Sequence, residues 1–244
     1  MSGIEITGAS RIKLIGDSIT AGRGSSDCLF DGAYILDLDG RPYYRQTGHK
    51  CYASILKEYL ETKYGCTVVN NGCNGLNSYH ICRHFEKLIR YSDTLVFLMI
   101  GANNRKLYNG MEMLYHDIYR ILRRLDLFNC SAVLLTSPPS TAVNEARKNR
   151  LYHMDEVDRM IRLVAKETGL PHINFYGYFL DYIEKHHMTV EELMLPKEEL
   201  ENYALPKEES EYSLIDWNRA PDGLHPPDSV HRLMAEHIIE TLEL

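Results

Sequence analysis

Apolar, β-branched runs recur along the chain at Ile12–Ile15, Thr67–Val69, Thr94–Ile100, Ala132–Thr136 and His172–Phe175. Each has the length and composition of a buried strand. Between them lie Tyr52–Tyr64, Ser78–Tyr91, Met111–Leu127 and Asn144–Thr168, whose apolar positions return at helical spacing and leave the opposite face polar. The spacing predicts a further helix from Asp228 to Thr241, with Asp228 capping it after Pro226-Pro227. Strand and helix alternating in this way predict right-handed crossovers and a parallel sheet covered on both faces. Ligand-binding groups then gather at the carboxyl ends of the strands.

Two stretches break the alternation. Residues 27–50, rich in Gly, Asp and Tyr with a turn signal at Asp39-Gly40, predict a loop containing a hairpin above the end of the sheet. Residues 191–217 carry LPKEE twice, which predicts two short helical turns beginning at Pro196 and Pro206 on an acidic surface excursion. With 244 residues and 44% hydrophobic content, the expectation is a single domain over 1–244 with these two irregular insertions.

Charge and cysteine content narrow the setting. A formal charge of −7 without any Lys/Arg-rich block argues against nucleic acid or an anionic membrane as partner, and points to a small neutral or modestly charged substrate. No run approaches the roughly 18 apolar residues of a membrane span, and the first residues lack the apolar stretch of a signal peptide, so a cytoplasmic location without membrane insertion is expected. Six scattered cysteines without a CxxC pair predict reduced, mostly buried thiols. Homo-oligomerisation is left open by the sequence.

The chemistry begins at RIKLIGDSITAG, residues 11–22, where an apolar strand stops at Gly16-Asp17-Ser18 and Ile19–Gly22 can open a helix. Ser18 at such a junction is either a helix cap or a nucleophile beside free backbone N–H groups. Three further pieces bear on the choice. NNGCNG follows the second strand, with Gly72 and Gly75 able to bring backbone N–H groups close to a ligand. GANN follows the third. DGLH stands near the carboxyl terminus, with Asp222 and His225 spaced so that a carboxylate can hold one imidazole nitrogen while the other faces a serine hydroxyl. HICRH places His80 and His84 one helical turn apart, but no third ligand accompanies them, so an ordinary helix and no metal site are expected there. His186 and His187 read as solvated residues at a helix end.

In this order GDSIT, NNGCNG, GANN and DGLHP resemble the four motif blocks of the SGNH hydrolases, also called GDSL lipases and esterases, over essentially the whole chain. The resemblance implies a three-layer α/β/α sandwich of about five parallel strands in the flavodoxin-like order 2-1-3-4-5. It also implies a Ser18–His225–Asp222 triad, an oxyanion hole from the Ser18 and Gly75 N–H groups with the Asn103 amide, and no cofactor. The family's third block usually ends in Asp, where this chain has Asn104.

The activity implied is hydrolysis of small acyl esters through an acyl-serine, with acetyl esters of carbohydrate-like alcohols favoured because no long apolar stretch offers a lipid tunnel. A thioesterase or lysophospholipase of the same fold, or a non-catalytic acyl-sugar-binding module, are the alternatives. Asp17, Tyr34, Tyr43, Tyr44 and Trp217 are the expected substrate-contacting residues, the aromatics offering a flat apolar face with a polar edge.

Overall fold

The computed structural model describes residues 4–200 and 222–244; Trp217 and the turn expected at Pro206 lie outside them. β1 (Arg11–Gly16) is followed by a hairpin, β2 (Tyr34–Leu38) and β3 (Arg41–Tyr44), and then by α1 (Tyr52–Tyr64) and β4 (Thr67–Asn70). Next come α2 (Ser78–Arg83), α3 (Phe85–Leu88), β5 (Leu95–Met99), a 3₁₀ turn at Asn104–Lys106, α4 (Gly110–Leu127) and β6 (Ser131–Leu135). The chain continues through α5 (Ala142–Glu145), α6 (Met154–Thr168), β7 (His172–Ile173), α7 (Phe175–His186), α8 (Val190–Met194), α9 (Lys197–Leu200) and α10 (Asp228–Thr241).

The five apolar runs form one parallel sheet in the order β4-β1-β5-β6-β7. Counted along the sheet's own strands this is 2-1-3-4-5, the expected order. The pleat divides the apolar residues between two cores. Ile15, Val96, Leu98 and Leu134 face the layer of α4 and α6, whereas Ile12, Leu14, Phe97, Met99 and Leu135 face the layer of α1, α7 and α10. Both faces are dry, which is why these strands read as continuous apolar runs. None of the six cysteines forms a disulfide, and five of them are buried. Among the described residues no helix is long and apolar enough to cross a membrane.

The hairpin forms where expected, and Asp39 and Gly40 both adopt the positive φ of a tight two-residue turn. It is anchored by Leu36 and Leu38, which enter the α4-side core.

Several boundaries differ from the expectations, each for a local reason. The helix expected over 78–91 breaks at His84 and stops at Leu88; Arg124 donates to the Cys82 carbonyl before the break at 2.8 Å, and Asn71 to the Leu88 carbonyl at the end of α3 at 2.7 Å. The helix expected over 144–168 is two. α5 ends after Glu145, and a new capping box at His153 and Glu156 starts α6. The last strand stops at Ile173 because Asn174 caps α7 through Gly177 N–H at 2.9 Å. Asp228 is the first residue of α10 and not its cap; its carboxylate accepts from the Ser26 N–H and hydroxyl, while Glu199 accepts from the N–H groups of Asp228 and Ser229. Residues 19–22 form consecutive turns instead of a helix, closed by Ala21 N–H to Asp17 O and Arg23 N–H to Ser18 O, both 2.9 Å.

Candidate active site

Ser18 stands just beyond the carboxyl end of β1. A side chain at Gly16 would come within 2.1 Å of the Thr20 hydroxyl and 2.6 Å of the Met99 carbonyl, so glycine serves the close approach of the turn to β5. Asp17 sits behind the turn, wholly buried, and accepts from Ile19 N–H at 3.0 Å; burial raises its pKa above the usual carboxylate range. It fixes the turn's shape and lines no part of the cavity in front of Ser18.

The loop entering α10 brings its two motif residues to the same place. His225 Nε2 lies 2.8 Å from Ser18 Oγ, and His225 Nδ1 lies 3.0 Å from Asp222 Oδ1. That oxygen also accepts from the N–H groups of Leu224, at 3.0 Å, and His225, at 2.9 Å. Burial works to raise the Asp222 pKa, but the neighbouring His225 charge and these hydrogen bonds outweigh it and hold the carboxyl below its usual range. An ionised Asp222 selects the tautomer that donates from Nδ1, leaving Nε2 as an acceptor for the serine hydroxyl. Ser18 is 8% and His225 6% exposed, so the pair is nearly withdrawn from bulk water. The start of α5 steadies this loop, because its N-cap Thr141 donates through its N–H to the Gly223 carbonyl at 2.8 Å.

Gly75 and Asn103 complete the near wall. Gly75 follows β4 with φ of +80°, and neither its N–H nor that of Ser18 has a partner among the described residues. The Asn103 amide donates to the Leu76 carbonyl at 3.1 Å and accepts from Lys106 Nζ at 2.9 Å, so both ends of the amide are held. Asn104, where the family's usual Asp is missing, is wholly buried. It accepts from Ser78 N–H at 3.1 Å and donates to the Ser78 hydroxyl at 2.8 Å and to the Gly110 carbonyl at 3.3 Å. A carboxylate still lies on the other side of Ser78: buried Asp117 of α4 accepts from the same Ser78 hydroxyl at 2.8 Å.

A cavity of about 350 Å³ opens in front of these groups. Tyr43 of the hairpin reaches it, whereas Tyr34 and Tyr44 pack edge to face at 6.0 Å on the exposed side and do not line it. Sequence reasoning missed Arg23, Asn74, Lys106, Arg147 and Arg150, which also line it. Three larger surface cavities, of about 600 Å³ beside α1, about 580 Å³ below β6 and about 390 Å³ along α4, contain no comparable chain of donors and acceptors. His80 belongs to the α2 capping box, and among the described residues no three His, Cys, Asp or Glu side chains are grouped to hold a metal.

The model of the GDSL-like lipase/acylhydrolase family matches residues 14–195. The chain belongs to that family. It is accordingly a carboxylic ester hydrolase by class, and its three-layer α/β architecture is the fold of the solved GDSL-type esterases. Axe2, an acetylxylan esterase from Geobacillus stearothermophilus, superposes with a TM-score of 0.62 at 18% identity, covering 99% of this chain and 97% of its own. An α/β hydrolase from the metagenome of Lake Arreo gives 0.64 at 19% identity, covering 98% and 97%. A protein assigned as a GDSL-like lipase from Parabacteroides merdae gives 0.66 at 18% identity, covering 99% of each chain. At such identities the likeness is one of fold. No curated protein sequence matches the chain.

Proposed function

We propose that this chain is a serine esterase that releases short acyl groups, acetyl foremost, from small alcohols through an acyl-Ser18 intermediate. The observation that carries the reading is the single imidazole of His225 lying 2.8 Å from Ser18 Oγ on one side and 3.0 Å from Asp222 on the other. His225 takes the hydroxyl proton as Ser18 attacks the ester carbonyl, and Asp222 stabilises the imidazolium that results. The Ser18 and Gly75 N–H groups and the Asn103 amide receive the developing oxyanion; one such donor is worth roughly 10²–10³ in rate. The same imidazolium then protonates the departing alcohol, and a water activated by His225 releases the acid. In Axe2, variants with one serine or one histidine changed to alanine are described as catalytic mutants, which accords with these roles.

The small, polar cavity supports a short acyl group over a lipid chain. Hydrolysis of 4-nitrophenyl acetate by the wild type, abolished in Ser18→Ala, is the expected result. Turnover equal in the two proteins would overturn the reading. An inert wild type that still binds acetylated sugars would establish the binding module instead.

A further inference from the structure

The far side of the cavity reverses the charge of the molecule. Although the chain carries a formal charge of −7, Lys106, Arg147 and Arg150 line this cavity together with Arg23, against one carboxylate among the described residues, Asp222, already engaged by His225. Glu145, whose charge also reaches Arg150, is taken by Arg105, which lies 2.5 Å away, by the Ser140 hydroxyl and by the N–H of Met154. Asp17 is sealed behind the serine turn.

Arg150 is the centre of this wall. It is half-buried, and its Nε and Nη1 are shielded from solvent without a hydrogen-bond partner among the described residues. Burial, reinforced by the neighbouring charges of Arg105 and Arg147, lowers its pKa to about 10, and burial followed by the Arg150 charge lowers that of Lys106. Lys106, Arg147 and Arg150 repel one another, the attraction of Asp222 and Glu145 for Arg150 being outweighed by burial and by the neighbouring cations, and the unpaired guanidinium N–H groups of Arg150 carry a desolvation cost. The segment that carries them is nevertheless held in place, by Arg150 N–H to Arg147 O and Leu151 N–H to Arg105 O, both 2.8 Å. Fixed, under-neutralised guanidinium groups facing a cavity are complementary to a carboxylate or phosphate, whose planar oxygen pairs they match in a bidentate fork.

We propose that this wall binds an anionic group, carboxylate or phosphate, carried by the ester substrate itself, so that the enzyme acts on acidic acyl esters in preference to neutral ones. The proposal rests on the serine-esterase reading and deepens it. It also departs from the small neutral or modestly charged substrate that overall charge suggests, because net charge describes the whole surface and not one cavity. The anion anchors one end of the substrate while the ester carbonyl lies toward Ser18, and the cavity is large enough for a one-ring ester bearing one such group.

The test is kcat/KM on two matched pairs: acetylated glucuronic acid against its methyl ester, and acetylated glucose 6-phosphate against acetylated glucose. The expected result is a preference for the charged member of one or both pairs of roughly tenfold to a hundredfold, the effect of one charge-assisted hydrogen bond, with the favoured pair identifying carboxylate or phosphate. The preference shrinks with added salt. In Arg150→Gln and Arg147→Gln the charged-to-neutral ratio falls toward one. A wild-type ratio near one, with 4-nitrophenyl acetate still cleaved in a Ser18-dependent way, overturns the proposal and leaves the esterase reading standing. If no ester is cleaved, the esterase reading fails, and calorimetric titration of wild type and Arg150→Gln with glucuronate and inorganic phosphate decides the anion site separately: binding weakened by the substitution supports it, and equal or absent binding removes it.

Discussion

The two walls of the cavity differ in how completely their polar groups are paired. On one, the Ser18 hydroxyl, the His225 ring and Asp222 form a closed chain at 2.8 and 3.0 Å, and the Asn103 amide is held at both ends. On the other, Arg150 presents guanidinium nitrogens that nothing within the described structure receives. A paired wall is pre-organised and does its chemistry without rearranging; an unpaired one awaits a counter-charge. Lys106 belongs to both, lining the cationic side while donating to Asn103. On the two proposals, catalysis and selection are thus separable in space, joined at one residue.

Substitutions on the paired wall have the largest expected effects. Ser18→Ala and His225→Ala each reduce kcat by roughly 10⁴-fold or more, and the double variant loses little beyond either single one, since the two act as a unit. A multiplicative double loss in steady-state rates would separate them. Asn103→Ala lowers kcat by roughly 10²–10³ with a smaller change in KM, because its amide favours the oxyanion over the ground-state carbonyl. An effect confined to KM would move it to the other wall.

Lys106→Met is the variant that tests the join. Loss of the clamp on Asn103 lowers kcat on a neutral acetyl ester by about tenfold, the worth of one modest hydrogen bond. A change limited to KM for acidic esters would assign Lys106 to selection alone.

Two predictions concern what lies behind the paired wall. Asn104→Asp replaces a donor to Ser78 and Gly110 by a second carboxylate beside Asp117, and is expected to destabilise the fold by about 1–3 kcal/mol at neutral pH, read as a lower denaturation midpoint. Restoring the family's usual residue is therefore harmful here. An unchanged midpoint would mean that the loop tolerates a second carboxylate. His231 is wholly buried, with its ring stacked 6.1 Å from Tyr52, its Nε2 lying 3.2 Å from the Arg23 carbonyl and its Nδ1 unpartnered among the described residues; burial lowers its pKa to about 4. The unfolded chain takes up this proton near pH 6.5 and the folded chain only near 4, so stability is unaffected above about 6.5 and falls as the pH drops between the two, by about 3 kcal/mol in all. His231→Gln flattens that slope in chemical denaturation from pH 7 to 4. An unaltered slope would place the titration elsewhere.

The sheet was legible because both its faces are covered, which leaves uninterrupted apolar strands that alternation with helices then orders. The grouping of Ser18, His225 and Asp222 was legible because a hydroxyl, an imidazole and a carboxylate meant to meet need particular residue types at strand ends, and these recur as short motifs. Helix ends were harder. Phe175–His186 was foreseen only at its carboxyl end, where His186 and His187 read as closing a helix; its start was not, since aromatic residues following a β-branched run extend a strand pattern as naturally as they begin an amphipathic helix, and the Asn174 cap decides between them. Arg147 and Arg150 lie in a polar connection between α5 and α6, where cations ordinarily face water. Nothing in their spacing says that a cavity lies in front of them. The tyrosines illustrate the same limit, because Tyr43 and Tyr44 are adjacent on β3 and the pleat sends only the first toward the site.

Gly24 bears on the life of the protein as it is made. Its φ is +94°, and a side chain there would fall 2.2 Å from the Pro226 carbonyl, so the turn carrying the nucleophile and the loop carrying its base are moulded against each other directly. Ser18 and His225 are separated by 207 positions of chain. In the proposed mechanism a growing polypeptide therefore displays its serine long before its base can reach it, and hydrolysis switches on only when the segment from Asp222 into α10 has emerged and docked. Onset of activity in a translation reaction is in this sense a timer for the final docking event of the fold.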